Sequence, residues 1–532
     1  MNLEEEITKF RAKKKRQLAE SVAENANEDG TQPVETADGR VPNDDGKKIG
    51  TKEIHEAQEI LNRYKQGKAN LEKRIISNEQ WWKMRHWGEL SDSASAVESD
   101  PLRPRPVSAW LFNSLANKHA DAMDNYPEPT ILPRELNDEQ TAQTLSDVLP
   151  VVLEHNDYEQ TYSDGWWQKL KGGSMCQAVL WNSRKDNGIG DIDICNIDLL
   201  NLYWESGVSD IQKSPNLFYL SLEDTEALKQ RYPEFANKSG GDSIAISKYK
   251  YDDNVDTSEK STVVDWYYKV WDGTKCKLHY CKFCGDTVLY ASENDPEYAD
   301  RGFYDHGEYP FVIDTMFRVE GSPCGFGYID IMKDCQMYID KLNQVVLEHT
   351  VKMTNKRYFV KMNGNVNEGE FADQRKRFVH VQGNLTDEDI REIKVEPLDS
   401  AVMNVLQLKI DELKETSGNR DFSQGGTTSG ITAASAIAAL QEAGSKLSRD
   451  MIKGTYFAFQ QVCYLIIELI RQFYDTPRSF RITGGYDAFD NSAIKEQSSE
   501  LFGVQLGTKK PVFDIVCTAS KKSPFSKASQ NE

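Results

Sequence analysis

The sequence predicts an α+β fold, and three observations lead to this prediction. The stretch between about Glu159 and Val319 has the composition of antiparallel strands with helical insertions. Two long helical patterns follow it and flank a short basic insertion, and a third long helical pattern ends at about Tyr474. Strands and helices that occupy separate stretches of a chain are typical of the α+β class.

The composition is that of a soluble globular protein with room for several domains, since 532 residues carry 39% hydrophobic and 28% charged side chains. A formal net charge of −20 argues against a protein that coats nucleic acid, which would need an excess of Lys and Arg. It leaves open a protein that lets DNA slide past. Nine scattered cysteines favour reduced thiols over a secreted disulfide framework.

Residues 1–50 are polar and are expected to form a disordered, charged N-terminal arm. The basic run Lys13 to Arg16 could touch DNA, although a solvated tail is favoured. No secretory signal or membrane span is expected. The most apolar window, Tyr456 to Ile470, includes Glu468 and is shorter than the roughly 20 residues that a span requires, so a buried amphipathic helix is predicted there.

Up to residue 325 the predicted elements are two helices and then a series of strands. The helices cover Lys52 to about Ile76 and Trp110 to Met123, and an extended connector alternates Pro and Arg between Asp100 and Pro106. The strands are Gln177–Trp181, Gly190–Cys195, Leu217–Leu222, Val263–Trp271, Lys275–Phe283 and Thr287–Tyr290. Turn dipeptides join the last three strands into an antiparallel meander.

The first long helix is predicted from Asp330 to about Lys356, roughly 40 Å at 1.5 Å per residue. Its apolar side carries Ile331, Cys335, Tyr338, Leu342, Val345, His349 and Met353. Its polar side carries Lys333, Asp334, Asp340, Lys341, Gln344, Glu348 and Lys352. Such a helix suits a position beside copies of itself at a water-filled boundary.

A basic insertion begins at Arg357 with two predicted strands, Tyr358–Lys361 and Phe378–Val381. Asp399 or Ser400 then caps a second helix that runs to about Thr416. The elements that follow are a Gly-, Ser- and Thr-rich loop from Gly418 to Gly430, an Ala-rich helix from Thr432 to Ala443, and a long helix from about Leu447 to Tyr474.

The loop from Gln424 to Gly430 looks like a phosphate-binding loop, but two features argue against an ATP site. A Walker loop needs a Lys beside its closing Ser or Thr and follows a buried strand, whereas this loop has no Lys and follows a helix. Asp421-Phe422-Ser423 likewise lacks the Gly and the companion motifs of a kinase.

Two clusters could hold a metal ion, and a simpler interpretation is favoured for each. The first cluster consists of Cys276, His279, Cys281 and Cys284, whose side chains are of the types that bind zinc. Because side chains alternate along a strand, these four would lie on opposite faces of it, which favours buried free thiols. The second cluster consists of Asp191, Asp193 and Asp198 and could suggest a two-metal nuclease. No His or Lys companion lies nearby in sequence, which favours solvated edge carboxylates.

With these residues in view, the chain resembles the portal proteins of tailed bacteriophages. Gly325-Phe326-Gly327, leading into the helix that contains Asp340-Lys341-Leu342-Asn343, is similar to the start of a portal stem helix. The run from Lys414 to Asp421, followed by the Gly-rich loop and then by Thr432 to Ser435, is also similar to these proteins. The segment from Asn196 to Glu205 resembles their wing. The resemblance covers roughly residues 70–530 in order.

The resemblance implies a portal fold with a β-rich wing, two long stem helices, a small α/β clip insertion and a long C-terminal wing helix. The parts would be the arm at 1–50, the wing at 51–325, stem helices at 326–356 and 398–417, the clip at 357–397, the tunnel loop at 418–431, and the wing helix with the start of a crown at 432–532. Ser523-Pro524 is a helix-start signal close to Glu532, so a truncated crown is expected.

The resemblance also implies a structural, non-enzymatic role without cofactor or metal. Portals form a ring, expected here to be a dodecamer, at one capsid vertex of the virion, after synthesis in the host bacterial cytoplasm. The ring conducts double-stranded DNA during packaging and ejection. Implied partners are the terminase large subunit, the major capsid and scaffolding proteins, and head-completion or adaptor proteins, with no membrane. Two alternatives to a portal remain open from the residues: a metal-dependent nucleic-acid-processing enzyme and a non-viral oligomeric scaffold.

Three groups of residues would carry the implied contacts. The tunnel loop would touch DNA through Asn419, Arg420, Asp421, Gln424, Gly425, Gly426, Thr427 and Thr428. The stem would line the channel with Lys333, Lys341 and Lys352, and the clip would dock the terminase through Arg375, Lys376 and Arg377. A net acidic ring whose loop has one cation beside an anion suits transient contact with phosphates rather than tight binding.

Overall fold

The computed structural model describes residues 48–90, 103–134, 139–232, 235, 259–273, 275–354, 358–360, 367, 369–370, 390–392, 395–418, 446–474 and 513–520. Helices and strands are both present among them, so the predicted α+β class is confirmed. Residues 1–47 of the expected N-terminal arm lie outside the described residues.

The helices agree with most of the sequence predictions. They are α1 Thr51–Trp82, α2 Trp87–Leu90, α3 Trp110–Met123, α4 Glu139–His155, α5 Tyr158–Gly172, α6 Thr225–Arg231, α7 Tyr328–Thr354, α8 Ser400–Ser417 and α9 Lys446–Phe473. The predictions for α1, α3, α7, α8 and α9 are confirmed. Helix α4 was not predicted, because Pro150 lies inside it and weakens its helical pattern. Helix α5 was not predicted either, and it occupies the start of the stretch that was expected to be rich in strands.

The strands form four antiparallel groups. They are β1 Tyr126–Pro133, β2 Ser174–Asn182, β3 Asp191–Ile197, β4 Leu202–Trp204, β5 Asn216–Asp224, β6 Lys260–Trp271, β7 Cys276–Cys284, β8 Thr287–Ala291, β9 Phe311–Thr315, β10 Tyr358–Val360, β11 Ile390–Glu392 and β12 Phe513–Ser520. The sheet orders are β4-β5-β6-β7-β8, β3-β2-β9, β1-β12 and β10-β11. The predicted meander is confirmed as β6, β7 and β8.

Helix α1 covers one face of the five-stranded sheet. Its apolar side chains recur every three or four residues, and Ile54, Ala57 and Leu61 are buried against the sheet. At its N-terminus the backbone N–H of Gly50 donates to Glu53 Oε2 at 2.9 Å, which satisfies one of the donors that a helix start leaves unpaired. The helical spacing of its apolar side chains therefore favours α1, and the burial of these side chains against the sheet stabilises it.

The buried side chain of Lys68 joins α1 to the turn before β4. Its ammonium group donates to the carbonyl oxygens of Leu199 and Leu202, the second at 2.6 Å, and lies 4.2 Å from the centre of the Tyr203 ring. Burial, opposed by Glu72, lowers the pKa of Lys68 to about 8. A charge this deep is tolerated because carbonyls and a carboxylate surround it.

A second buried cation, Lys169 on α5, joins three elements of the larger core. Its ammonium group donates to Asp314 Oδ2 on β9 at 2.7 Å and to Thr455 Oγ1 on α9 at 2.6 Å. It also lies 4.6 Å from the centre of the Trp166 ring. Burial lowers the pKa of Lys169, while Asp314 opposes this effect. The pair fixes the long helix α9 to the three-stranded sheet.

Strands β1 and β12 bring together distant parts of the chain. Their register runs from Tyr126 opposite Ser520 to Pro133 opposite Phe513. Gln460 on α9 donates to the carbonyl oxygen of Ile515 at 2.9 Å, so the ribbon is bound to that helix. The segment 432–532, assigned by resemblance to the wing helix and the start of a crown, thus returns a strand to residues of the predicted wing.

Helix α9 is amphipathic and buried, as predicted for its most apolar window. Its buried side includes Phe459, Val462, Leu465, Ile466 and Leu469. Among the helices that the structure describes, none combines the length and the hydropathy that crossing a bilayer would take.

Candidate subunit interface on the paired long helices

The chain enters α7 through Gly325 and Gly327, which lie directly on the turn between α5 and β2. A Cβ on Gly325 would come within 1.8 Å of the Phe317 carbonyl oxygen, and one on Gly327 within 2.7 Å of the Leu170 carbonyl oxygen. Side chains do not approach backbone so closely, so both positions need glycine. Close backbone contact therefore fixes the position of the N-terminus of α7.

The side chain of Asp330 also binds groups at the N-terminus of α7. Its carboxylate accepts from the Gly327 backbone N–H at 2.9 Å and from Asn78 Nδ2 at 2.9 Å. The first contact satisfies a donor of the helix start, and the carboxylate lies where the helix dipole favours a negative charge. The second contact ties α7 to α1.

Lys333, predicted to line a channel, lies against α1 and α2. Its ammonium group donates to Ser77 Oγ at 2.6 Å and to Glu89 Oε2 at 3.3 Å. It also lies 5.3 Å from the centre of the Trp81 ring. The structure thus places this cation among groups of its own subunit, and its role in a channel stays a prediction.

Helices α7 and α8 form an antiparallel pair, which we call the hairpin. Lys409 lies 5.7 Å from the centre of the Tyr338 ring, and His349 Nε2, nearer the far end, donates to the Glu396 carbonyl oxygen at 2.7 Å. Leu413 is buried in the contact. At the start of α8, Asp399 accepts from the Ala401 backbone N–H at 3.0 Å, so the predicted cap is Asp399.

Two polar residues of α7 are buried, contrary to the sequence prediction. Asp340 and Gln344 were expected on a water-facing side, yet their exposed fractions are 0% and 7%. Asp340 accepts from the Ser108 backbone N–H at 2.9 Å, and Gln344 donates to the Pro104 carbonyl oxygen at 3.0 Å. A polar side chain can be buried when backbone groups of a neighbouring segment pair with it, which residue type alone does not reveal.

The hairpin carries nine of the nineteen large hydrophobic side chains that are exposed in the described part of the chain. These nine are Ile331, Tyr338, Val345, Leu347, Val351, Met353, Met403, Val405 and Leu408. A monomeric soluble protein rarely leaves so many apolar side chains together in water. The hairpin is therefore the candidate interface.

The exposed apolar residues of α7 lie on two opposite sides of the helix. Tyr338 and Leu347 are nine residues apart, which is about 180° at 100° per residue. Val345 lies on the side of Tyr338, and Val351 on the side of Leu347, by the same spacing. One hairpin can therefore contact one neighbour on each side.

A charged side of α7 lies between the two apolar sides. Asp334, Lys341 and Lys352 are exposed and recur after seven and eleven residues, so they share one side of the helix. The predicted channel-lining residues Lys341 and Lys352 are thus aligned with each other, while Lys333 is not aligned with them.

The other predicted site residues lie outside the described residues. This applies to the tunnel loop, with Asn419, Arg420, Asp421, Gln424, Gly425, Gly426, Thr427 and Thr428, and to the clip cluster Arg375, Lys376 and Arg377. Their predicted roles stay predictions. The described strands β10 and β11 pair beyond the end of α7, in the stretch assigned to the clip.

The possible zinc ligands separate as the strand alternation predicts. Cys281 packs in the core beneath α1, whereas Cys284 packs in a smaller core with Leu228 and Phe235. His279 Nδ1 lies 3.2 Å from Ser292 Oγ. Burial raises the pKa of the Cys281 thiol, which disfavours the thiolate that zinc needs.

The three aspartates of the second cluster bind different partners. Asp191 Oδ1 accepts from the Tyr474 hydroxyl at 2.6 Å, and Asp198 accepts from the Leu200 backbone N–H at 2.9 Å. Asp193 pairs with Lys185 at 3.0 Å, a lysine eight residues earlier in the sequence. Asp191 is buried, so the interpretation as a solvated edge carboxylate is wrong for this residue. Within the described ranges, no group of three or more His, Cys, Asp or Glu side chains is arranged to hold a metal ion.

Comparison with protein families gives one match that covers more than two thirds of the chain. A family model described as Phage P22-like portal protein matches residues 120–495, which include all of α4 to α9. No curated protein shows a significant match to the sequence.

Proposed function

This chain belongs to the phage P22-like portal protein family, a structural and non-enzymatic family of phage capsids, and on that premise we propose that it forms a dodecameric ring at one capsid vertex. The hairpin is the stem of this ring. The single observation that supports the proposal most is the presence of two opposite apolar sides on α7.

Two apolar sides favour a ring over a two-fold dimer. A two-fold dimer uses the same patch on both subunits, whereas a closed ring joins two different patches head to tail. Leu347 on one subunit would pack towards Tyr338 or Val345 of the next. Burying each such side chain contributes roughly 1.5–3 kcal/mol to the association.

The charged side of α7 then faces the axis of the ring. Lys341 and Lys352 lie between the two neighbour contacts, where double-stranded DNA would pass. Asp334 on the same side limits the local positive charge. Because the chain has a formal net charge of −20, the ring as a whole repels phosphate and binds the duplex only weakly.

The remaining partners follow from the position of the stem. The clip, with Arg375, Lys376 and Arg377, docks the large terminase subunit during packaging and the head-completion or adaptor proteins afterwards. The tunnel loop, with Arg420 as its cation, touches the DNA as it passes into or out of the capsid. Major capsid and scaffolding proteins surround the wing in the virion, and the subunit is made in the host bacterial cytoplasm.

Electron microscopy and mass photometry of the purified protein, alone and with scaffolding protein, test the ring. We expect closed rings of twelve subunits, and a persistent monomer under both conditions would contradict the proposal. Deleting Gly425 to Ser429 should leave the rings intact but reduce DNA packaging or retention in an infection assay. Normal packaging by this variant would contradict the role of the loop.

A further inference from the structure

The extended residues 103–108, which we call the strap, lie along α7 and run antiparallel to it. The contacts from one end to the other join Ser108 to Asp340, Pro104 to Gln344, and Arg103 to Glu348. In addition, Trp87 donates through Nε1 to the Pro106 carbonyl oxygen at 2.9 Å. The strap is thus held by α7 on one side and by α2 on the other.

Asp340 is the centre of these contacts. Its Oδ1 accepts from the Ser108 backbone N–H at 2.9 Å, and its Oδ2 lies 2.8 Å from His86 Nε2 and 3.0 Å from Gln336 Nε2. The exposed fractions of Asp340, His86 and Gln336 are 0%, 1% and 1%. The imidazole of His86 also stacks on Trp81, with ring centres 4.1 Å apart. Three elements therefore converge on one buried carboxylate.

Two further side chains of α7 bind backbone or side-chain groups of the strap. Gln336 Nε2 donates to the Ser108 carbonyl oxygen at 2.8 Å, and Asn343 Nδ2 donates to Ser108 Oγ at 3.1 Å. Hydrogen bonds are directional, whereas apolar contacts allow a helix to slide or turn. Rotating α7 by one residue, about 100°, would leave the buried partners of Asp340 without an acceptor.

We propose that the strap and Asp340 act as a rotational stop for α7. The stop determines which side of the helix faces a neighbouring subunit and which side faces the ring axis. It is a positioning device, since Asp340 is fully buried and binds groups of its own chain. This inference rests on the proposed ring, because rotation of α7 matters only where several sides of the helix have different partners.

The test compares Asp340→Ala with Asp411→Ala, which removes an exposed carboxylate from α8. Each is combined with a reporter cysteine at Lys341→Cys or Leu347→Cys, two positions about 120° apart on α7. The existing cysteines are controlled by labelling the same backgrounds without the reporter. Maleimide labelling rates in isolated rings are then measured, together with subunit number by mass photometry and thermal unfolding.

In the Asp411→Ala background we expect fast labelling at position 341 and at least tenfold slower labelling at 347, as in the wild type. In the Asp340→Ala background we expect this ratio to collapse to less than threefold, and the rings to vary in subunit number. Uniform rings with the wild-type labelling ratio would overturn the inference. If Asp340→Ala does not fold, Gln344→Ala replaces it, with the same two outcomes. Wild-type protein that never forms rings would instead refute the proposed function.

Discussion

Residues 51–325, the predicted wing, bury charged side chains, whereas the hairpin exposes apolar ones. The predicted wing buries lysines such as Lys68 and Lys169, and each of these two has a set of polar partners inside the core. The hairpin does the reverse, since it exposes large apolar side chains such as Leu347 and Leu408. The buried lysines therefore have their partners within one chain, whereas nothing in the described part of the chain covers the apolar sides of the hairpin, for which we propose a neighbouring subunit.

This difference distinguishes the stability of the folded subunit from the stability of the assembled subunits. Substitutions in the wing are expected to change the free energy of unfolding of the subunit itself. Substitutions on the exposed sides of the hairpin are expected to change association and to leave the isolated subunit almost as stable as before.

Asp314→Ala tests the dependence of the wing on its internal partners. The change leaves the Lys169 ammonium buried without its carboxylate, which should reduce the free energy of unfolding by about 3–5 kcal/mol, as measured by urea denaturation. The control is the double change Lys169→Met with Asp314→Leu, which removes both charges and should cost much less. A loss below about 1 kcal/mol for the single change would contradict the prediction.

Lys68 predicts a pH dependence of wing stability. Its folded pKa of about 8 lies below the usual value of 10.5, so between these pH values the unfolded chain binds more protons than the folded one. The free energy of unfolding should therefore rise with pH in this window, by up to about 3 kcal/mol relative to Lys68→Met. Urea denaturation at pH 7 to 10 measures it, with the exposed Lys73→Met as control. Parallel curves for wild type and Lys68→Met would disprove this origin.

Leu347→Asp tests the hairpin. Placing a carboxylate on an apolar side should remove roughly 1.5–3 kcal/mol at every subunit contact and shift the protein to monomers in mass photometry. Thermal unfolding of the monomer should change little, because the side chain is exposed there. Leu347→Met conserves the apolar volume and should still assemble. Rings that persist in Leu347→Asp would place the interface elsewhere.

Asp399→Ala should have the smallest effect. Losing the N-cap bond to the Ala401 N–H costs about 1 kcal/mol, confined to the first turn of α8. Faster amide hydrogen exchange at residues 400–403 would report it, and Asp399→Asn should behave like the wild type. Unchanged exchange in Asp399→Ala would show that the turn is held by other contacts.

The elements with a strong local pattern could be predicted from the sequence. The limits of α7 and α8 follow from their helical periodicity and from the Asp399 cap, and the meander from its turn dipeptides. The ribbon of β1 and β12 could not be predicted, since β1 contains three prolines and its partner lies far away in the chain.

The candidate site was predictable in part. The apolar spacing that includes Tyr338 and Val345 already indicated a side that needs a neighbour, and its exposure agrees with that interpretation. The burial of Asp340 depends on a strap more than 200 residues earlier, which no local pattern on α7 encodes. The alternation of Pro and Arg before Pro106 indicated an extended connector, but not what it would lie against.

The pairing of β1 with β12 has a consequence for the time course of synthesis. Pro133 lies opposite Phe513, so 380 residues separate the nearest pair of the ribbon. At a translation rate of 5–20 residues per second, about 20–80 s pass between the emergence of the two strands from the ribosome. In the later part of that interval the apolar sides of α7 are already outside the ribosome while β1 still lacks its partner. Nascent chains on one messenger are thus exposed to premature association, and chaperone depletion should harm this protein before its synthesis is finished.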